Sequence, residues 1–191
     1  MTKRRADAER SIAAILDAAV DVLADRPDAG LGEIAKAAGV VRQTIYAHFP
    51  SRDDLLEAVA QRALTRTLAA IDATEPETGS PTEALARLVR AWWASVAPHA
   101  RVLEALASIS PSREALHAFH EPVLARLDAL LARGDFDRSV PSTWFLALMH
   151  AAADDVAAGR LDETAAAAAL ERAIPNLFAP KGPAPSRTPS H

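Results

Sequence analysis

Residues Leu31 to Arg52 read LGEIAKAAGVVRQTIYAHFPSR, and this stretch decides how the rest of the chain is interpreted. Ile34, Ala35 and Ala38 place apolar or small side chains on one face of a short helix. Gly39 follows, and glycine readily takes the positive φ that ends many helices. The sequence therefore predicts a short helix that begins near Leu31 and ends close to Gly39.

A second short helix is predicted from Arg42 to Phe49. Ile45 and Phe49 lie four residues apart, so they form one stripe that faces inward. The other side chains carry polar groups that can hydrogen-bond to DNA phosphates and base edges from a helix in the major groove. They are Arg42, Gln43, Thr44, Tyr46 and His48. The two helices are therefore predicted to form a helix-turn-helix.

The composition predicts an all-α protein with one large or two small domains. The chain has 191 residues, half of them hydrophobic, and only 7 glycines, which favours helices around a sizeable core. The absence of cysteine excludes disulfides and thiol catalysis. The N-terminus has no secretory signal pattern, and the longest uncharged run, from Ser139 to Ala153, is too short to cross a membrane. A cytoplasmic location without membrane association is expected.

The charge distribution is compatible with DNA binding, although the net charge is −4. Residues 1–52 contain 8 Lys and Arg against 7 Asp and Glu, whereas the rest contains 13 against 18. Lys3, Arg4 and Arg5 form a basic cluster at the start. Phosphate attraction is local, because salt screens it over about 10 Å.

The chain divides into three parts in this interpretation. Residues 1–52 are the helix-turn-helix domain, 53–178 a helical domain for ligand binding and dimerisation, and 179–191 a disordered tail with proline at 4 of 13 positions. Ser51 and Asp54 predict a capped start for a long fourth helix. Further helices are expected at 8–24, 82–97, 99–109, 114–133 with a kink at Pro122, 142–158, and 162–174 before Pro175.

The last two predicted helices lack a polar face. Ser142 to Ala153 is uncharged, and Ala165 to Ala169 is a run of small residues. Pairing with a second subunit in a four-helix bundle would cover them. Burial within one chain is the alternative.

The segment from Ile34 to Leu56, IAKAAGVVRQTIYAHFPSRDDLL, resembles the TetR/AcrR family of transcriptional regulators. The family typically shows I-A-x-x-A-G-V, then T-x-Y-x-H-F, then a basic residue shortly before a leucine. The resemblance implies a three-helix DNA-binding domain joined by a long fourth helix to a C-terminal helical domain. It also implies a repressor that binds a palindromic operator in double-stranded DNA as a homodimer through the last two helices and is released by a small-molecule inducer.

The resemblance assigns roles to residues at matching positions. It implies phosphate contacts by Thr44, Tyr46, His48 and Arg52, base contacts by Arg42 and Gln43, and a flexible arm at Lys3, Arg4 and Arg5. Gly30 and Val41 depart from the family pattern, since relatives often have a Ser or Thr cap there. The alternative for Tyr46 and His48 is a packing role.

A small-molecule pocket is expected in the C-terminal domain, with apolar and aromatic side chains at helical spacing as its candidate lining. These are Trp92, Trp93, Val96, Leu103, Leu106, His117, Phe119, Trp144, Leu148 and His150. Residues in such a pattern more often form plain core.

No metal or other cofactor is expected. Glu114, His117, His120 and Glu121 contain one E-x-x-H motif, whereas di-metal helical bundles need two, so a solvated polar face is the preferred interpretation. An all-helical enzyme remains an alternative function, with Asp154 and Asp155 near His150 as its only candidate catalytic groups. A helical interaction protein with a vestigial helix-turn-helix is another.

Overall fold

The computed structural model describes residues 2–97 and 113–180, with side chains for 5–97 and 119–180, and is all-α over these ranges, as predicted. Eight helices are present in the described part: α1 Thr2–Asp25, α2 Leu31–Ala37, α3 Arg42–His48, α4 Arg52–Asp72, α5 Pro81–Val96, α6 Arg113–Leu131, α7 Thr143–Ala157 and α8 Glu163–Leu177. The predicted helix at 99–109 and the tail beyond residue 180 lie outside the described residues.

An N-terminal core holds α1, α2, α3 and the first half of α4 together. Ile15, Ile34, Ile45 and Leu55 are fully buried in it, one from each helix. Because α2 and α3 have only seven residues each, they are too short to be stable alone and depend on this packing. Gly39 lies between them with φ +66°, as the sequence predicts.

The first helix begins earlier than predicted. Helix α1 starts at Thr2 rather than at Ala8, so Lys3, Arg4 and Arg5 lie in its first turns and the flexible-arm prediction is wrong. The physical reason is that residues 2–10 contain no glycine or proline and include good helix formers. Arg5 also pairs with Glu9 at 3.1 Å, at the i,i+4 spacing that supports helices.

Helix α4 connects the two halves of the protein. It begins with the predicted capping box: the Asp54 amide donates to Ser51 Oγ at 3.1 Å, and the Ser51 amide donates to Asp54 Oδ2 at 2.9 Å. Its first half contributes Leu55 to the N-terminal core, and its second half contributes Leu64 and Ile71 to a separate C-terminal core. Any rotation of α4 therefore moves both cores.

The C-terminal core is formed by α4 to α8. Helix α5 packs against α4, α6 and α8, and α7 packs against α8. Its largest fully buried side chains include Leu85, Leu127, Phe145 and Phe178, which come from different elements.

The C-terminal end of α4 is fixed to α5 and α6 by three arginines. Arg126 on α6 donates to both carboxylate oxygens of Asp72, at 2.6 and 2.8 Å. Arg87 on α5 donates to the carbonyl oxygens of residues 74, 75 and 78, and Arg133 donates to those of residues 76 and 79. The loop between α4 and α5 is thus held through its main chain.

Two helices contain proline. Pro122 lies inside α6, as predicted. Helix α8 continues through Pro175 to Leu177, so the predicted end at Ile174 is wrong. Pro175 is tolerated because it removes a single main-chain hydrogen bond near the helix end, and fully buried Phe178 anchors the chain just beyond it.

Within the described ranges, no helix combines the length and the apolar character that crossing a membrane requires.

Candidate nucleic-acid interface and helical interior

The buried face of α3 fixes which of its side chains reach solvent. Ile45 is fully buried and Phe49 is 7% exposed, so both point into the N-terminal core. Arg42, Gln43 and Tyr46 are exposed on the opposite side, while Thr44 and His48 are half-buried at its edges. The structure therefore brings all five predicted DNA-contacting residues of α3 onto its outer surface.

Arg42 and Tyr46 form a preorganised pair on this surface. Arg42 Nη2 donates to the Tyr46 hydroxyl at 3.3 Å, and the guanidinium carbon lies 5.4 Å from the centre of the phenol ring. A cation over an aromatic face at an exposed site contributes about 0.5 to 1 kcal/mol. The contact restricts both side chains before DNA binds. Fewer rotamers are then lost on binding, so the entropic cost of binding is smaller.

Neither short helix has a side-chain cap at its first residue. Gly30 and Val41 occupy the N-cap positions of α2 and α3 in extended conformation, and neither accepts a capping hydrogen bond. For α2, Glu33 compensates in part, since its carboxylate accepts from the Gly30 amide at 3.1 Å and pairs with Arg26. The Gly30 hydrogen bond and the Arg26 charge both lower the pKa of Glu33.

Arg52 has a structural role that the sequence did not reveal. Its side chain donates to the carbonyl oxygens of Ala29, at 3.3 Å, and Pro27. These partners are 23 and 25 residues away along the chain, so no local pattern could have indicated them. The guanidinium thereby ties the start of α4 to the loop before α2, and its phosphate contact stays a prediction.

The orientation of the helix-turn-helix on α4 is set by a cluster of charged groups. Arg62 donates to Asp17 Oδ1 at 2.7 Å and to the Ala13 carbonyl oxygen at 3.0 Å, and Arg66 reaches the same carboxylate at 3.5 Å. These contacts join α1 to α4.

In the C-terminal half, aromatic rings of α5, α6 and α7 meet in a continuous cluster. Trp92 lies 6.3 Å from His150 between ring centres, and His120 lies 5.0 Å from His150. Phe119 contacts His120 at 5.0 Å, and Phe145 contacts Trp92 at 6.2 Å. We refer to Trp92, Phe119, His120 and His150 as the aromatic cluster. It brings together three residues of the predicted pocket, Trp92, Phe119 and His150.

Burial determines the charge of His150. Removal from water lowers its pKa, and the nearby carboxylate of Asp154 opposes this more weakly. The ring is therefore held in its neutral form at neutral pH, in which one nitrogen donates and the other accepts a hydrogen bond.

Other predicted pocket residues are placed differently. Trp93 is buried and its indole N–H donates to the Glu163 carbonyl oxygen at 3.2 Å, which joins α5 to the start of α8. Val96 is buried in the core, and Leu148 is half-buried against it. Trp144 is 55% exposed on the outer face of α7, so its assignment to an interior pocket is wrong. The side chains of Leu103, Leu106 and His117 lie outside the described set.

The polar face predicted beside Pro122 is not uniform. Glu121 is exposed, but His120 is only 9% exposed and packs between aromatic rings, so the solvated-face interpretation is wrong for His120. Glu114 and His117 lie among the residues whose side chains are not described. Where side chains are described, no three or more His, Asp or Glu residues group in a way that could hold a metal ion.

Helices α7 and α8 and the loop between them expose large apolar or small side chains, namely Trp144, Ala147, Ala151, Leu161, Ala165 and Ala168. The same helices also expose polar residues, among them Asp154, Glu163 and Arg172. Trp144 and Leu161 are two of the four large hydrophobic residues exposed in the described part. In the described chain these side chains are exposed, so burial within one chain, the alternative from sequence, does not cover them, and pairing with a second subunit stays a prediction.

Comparison with known proteins places these features in context. A family model described as "Bacterial regulatory proteins, tetR family" matches residues 15–59, which run from the middle of α1 through α2 and α3 into the first turns of α4. The transcriptional repressor LfrR of Mycolicibacterium smegmatis is 49% identical over 81 residues, a match that spans 42% of this chain and 43% of LfrR. The transcriptional regulator AlkX of Mycobacterium tuberculosis is 30% identical over 145 residues, covering 72% of this chain and 69% of AlkX.

Solved structures show the same architecture over almost the whole length. LfrR in complex with proflavine superimposes with a TM-score of 0.68 at 32% identity, covering 88% of this chain and 94% of LfrR. FadR of Bacillus subtilis in complex with stearoyl-CoA gives a TM-score of 0.69 at 20% identity, covering 83% of this chain and 95% of FadR. At that identity, FadR shows a similar fold only.

Proposed function

The chain belongs to the TetR family of bacterial transcriptional regulators, and we propose that it is a repressor whose binding to a palindromic operator is controlled by a small molecule. The relatives are regulators rather than enzymes, so the family does not favour the all-helical enzyme. The observation that carries the proposal is the surface of α3, where Arg42, Gln43 and Tyr46 are exposed above a fully buried Ile45. A regulator that acts on bacterial DNA works in the cytoplasm, so this is the location that we expect.

Side-chain chemistry determines which residues of this surface contact bases and which contact phosphates. Arg42 and Gln43 open α3, so they contact base edges, where arginine pairs with guanine and glutamine with adenine. Each such bidentate contact discriminates by about 1 to 3 kcal/mol. Thr44, Tyr46 and His48 bind phosphates, which fixes the position of α3 in the groove.

The basic residues outside α3 are supporting phosphate contacts in this proposal. Arg52 contributes charge at the start of α4 while its carbonyl partners hold it in place. Lys3, Arg4 and Arg5 act from a helical rather than a flexible segment. The alternative of a vestigial helix-turn-helix predicts no sequence-selective binding at all.

Two copies of the chain associate through α7 and α8. The small exposed side chains Ala147, Ala151, Ala165 and Ala168 allow helices to approach closely, and Trp144 supplies a large apolar anchor at the edge. A two-fold dimer reads two half-sites about one helical turn apart, which requires a palindrome. Charged substitution at Ala151 tests this interface, because it should convert the dimer to monomer in sedimentation while Arg138→Ala, an exposed change elsewhere, should not.

The effector binds beside the aromatic cluster. LfrR has been solved with proflavine, a planar aromatic cation, and it is 32% identical to this chain over 94% of its length. Trp92, Phe119 and the neutral ring of His150 are the aromatic groups on which such a ligand stacks, and because Trp92 is only 2% exposed the ligand must displace neighbouring side chains to reach it. Because α6 carries both part of the cluster and the Arg126 link to Asp72, occupancy there acts on α4 and hence on the spacing of the two reading helices.

The experiment that tests the proposal is selection of bound fragments from genomic DNA. The wild type should enrich a palindromic sequence and bind it with an affinity that falls steeply with salt. Tyr46→Ala combined with His48→Ala should abolish enrichment, whereas Arg138→Ala, an exposed cation on the other domain, should retain it. If the wild type enriches no sequence over bulk competitor, the proposal fails.

Effector control is tested on the selected duplex with proflavine as the probe. Proflavine should release the wild type, and Trp92→Leu should require about tenfold more of it if one aromatic contact of about 1.4 kcal/mol is lost. Arg138→Ala is the control, since the side chain of Arg138 is exposed away from the aromatic cluster. An equal proflavine response in the Trp92 variant would reject this site.

A further inference from the structure

Val41 is the most exposed of the large hydrophobic residues in the described chain. Its side chain is 69% exposed, compared with 55% for Trp144 and 40% for Tyr46. The preceding residue, Val40, packs against the N-terminal core, so the chain turns one valine inward and the next outward. Val41 is followed by exposed Arg42 and Gln43 and therefore continues the DNA-facing surface.

The fold gives no reason for a valine at this position. Val41 has extended backbone angles, φ −73° and ψ 150°, and it makes no side-chain cap. Its carbonyl oxygen accepts from the Thr44 amide at 2.8 Å, which any residue can do. Ser, Thr, Asp or Asn at this N-cap position would stabilise α3, whereas valine does not. The side chain contributes little buried area and no hydrogen bond to the folded chain.

The major groove offers one apolar group for such a side chain. Phosphates, sugars and the hydrogen-bonding edges of the bases are polar, whereas thymine carries a methyl group on C5 at the floor of the groove. An isopropyl group beside two base-reading residues matches that methyl in chemistry and in size. Polar groups at the same place would lose hydrogen bonds to water on contact with it.

We infer that Val41 is a specificity-determining residue that packs against the 5-methyl group of one thymine in each half-site. The inference rests on the proposed function, since it concerns the same interface. It extends that function by assigning a base to a residue that the DNA-binding pattern does not include. The half-site thus contains a thymine whose recognition depends on its methyl group rather than on hydrogen bonds.

Deoxyuridine provides the test, because it differs from thymidine only by that methyl group. In the selected operator duplex, each thymine is replaced by deoxyuridine at symmetric positions in both half-sites. At one position the wild type should bind about 10- to 20-fold more weakly, which corresponds to about fourfold for each buried methyl. Val41→Ala should bind the thymine duplex more weakly and lose less affinity with deoxyuridine than the wild type does, because alanine retains only one methyl group for the contact.

Two further variants separate base reading from folding. Val41→Ser introduces a good N-cap, so α3 should be at least as stable as in the wild type, yet this variant should be indifferent to the replacement. Gln43→Ala is the matched control: it should weaken binding through another base pair and retain the full deoxyuridine effect.

The outcomes distinguish this inference from the proposed function. If the wild type selects a sequence but no position shows a deoxyuridine effect that depends on Val41, the thymine assignment is wrong. The proposed function as a DNA-binding regulator would still hold. If Val41→Ser keeps the effect, the methyl group is sensed by another residue and the assignment is again wrong. If the wild type selects no sequence, the proposed function and the assignment fall together.

Discussion

Replacing Ile45 with alanine should disable DNA binding without touching a DNA-facing group. Ile45 is fully buried at the centre of α3, and its carbonyl oxygen accepts from the Phe49 amide at 2.7 Å. Helix α3 has seven residues and no side-chain cap. Its geometry therefore depends on two anchors, Ile45 and Phe49, rather than on intrinsic helix stability.

The magnitude follows from the atoms removed. The substitution deletes about three buried carbons, worth about 2.4 kcal/mol in transfer free energy at about 0.8 kcal/mol each. A residual cavity raises the cost, and measured losses for isoleucine to alanine in cores are about 2 to 5 kcal/mol. A loss of about 3 kcal/mol increases the population of the opened helix by about 150-fold.

Hydrogen exchange measures this opening directly. The amides of α3, including that of Phe49, should exchange about 100-fold faster in Ile45→Ala, whereas amides of α5 in the separate C-terminal core should change little. Affinity for the selected duplex should fall while the effector still binds. Ala47→Ser, an exposed change on the same helix, is the control and should behave like the wild type.

The reasoning is refuted if Ile45→Ala leaves exchange in α3 unchanged. It is also refuted if the variant opens α3 as expected and yet binds the duplex as tightly as the wild type, since the account requires a formed helix in the groove.

Three further changes test separate parts of the fold. Ser51→Ala removes the cap of α4 and should lower the free energy of unfolding by about 1 kcal/mol in urea titration; an unchanged midpoint would contradict the cap. The pKa of His150 is lowered by burial from its ordinary 6.5, so the folded protein should lose stability as pH falls below about 6.5 and through the folded-state pKa. His150→Gln should therefore show a smaller drop in Tm between pH 7.5 and 5, and equal drops would reject a buried neutral ring. A Cβ at Gly134 would lie 2.6 Å from the Phe136 ring, so Gly134→Ala should cost about 1 to 3 kcal/mol. Gly32→Ala, where nothing lies within 4 Å of the added carbon, should not destabilise, and similar denaturation curves for both variants would contradict the packing at Gly134.

Local rules were sufficient to predict the helix-turn-helix. Gly39, the Ile45 and Phe49 spacing and the Ser51 cap all act over three or four residues, and the structure confirms each of them. The same holds for the long α4 and for a helix that contains Pro122, whereas the kink at Pro122 stays a prediction. Where short-range chemistry decides the conformation, the sequence is informative.

Long-range contacts could not be predicted in this way. Arg52 binds carbonyl groups of the loop before α2, and Arg126 binds Asp72 across 54 residues, and neither pairing has a local signature. Helix α7 shows a different difficulty. It is apolar on nearly every side, so periodicity could not tell that Phe145 faces the core and neighbouring Trp144 faces solvent.

The start of α1 shows a third reason. The run of Lys3, Arg4 and Arg5 looked like a DNA-binding arm because charge dominated the interpretation, but helix propensity and the Arg5–Glu9 pair favour a longer α1. The charge pattern there predicted a flexible arm, whereas the backbone forms a helix, as its helix propensity favours.

Competition binding of the full chain to its selected duplex tests the central claim most directly, namely that α3 reads DNA. At about 150 mM salt and in excess bulk DNA, the wild type should bind the duplex at least about 1,000-fold more tightly than random sequence. The double variant Tyr46→Ala, His48→Ala should lose this preference while staying folded, because Tyr46 is exposed and His48 is half-buried at the edge of α3. A folded double variant that binds the duplex as tightly as the wild type would contradict the account.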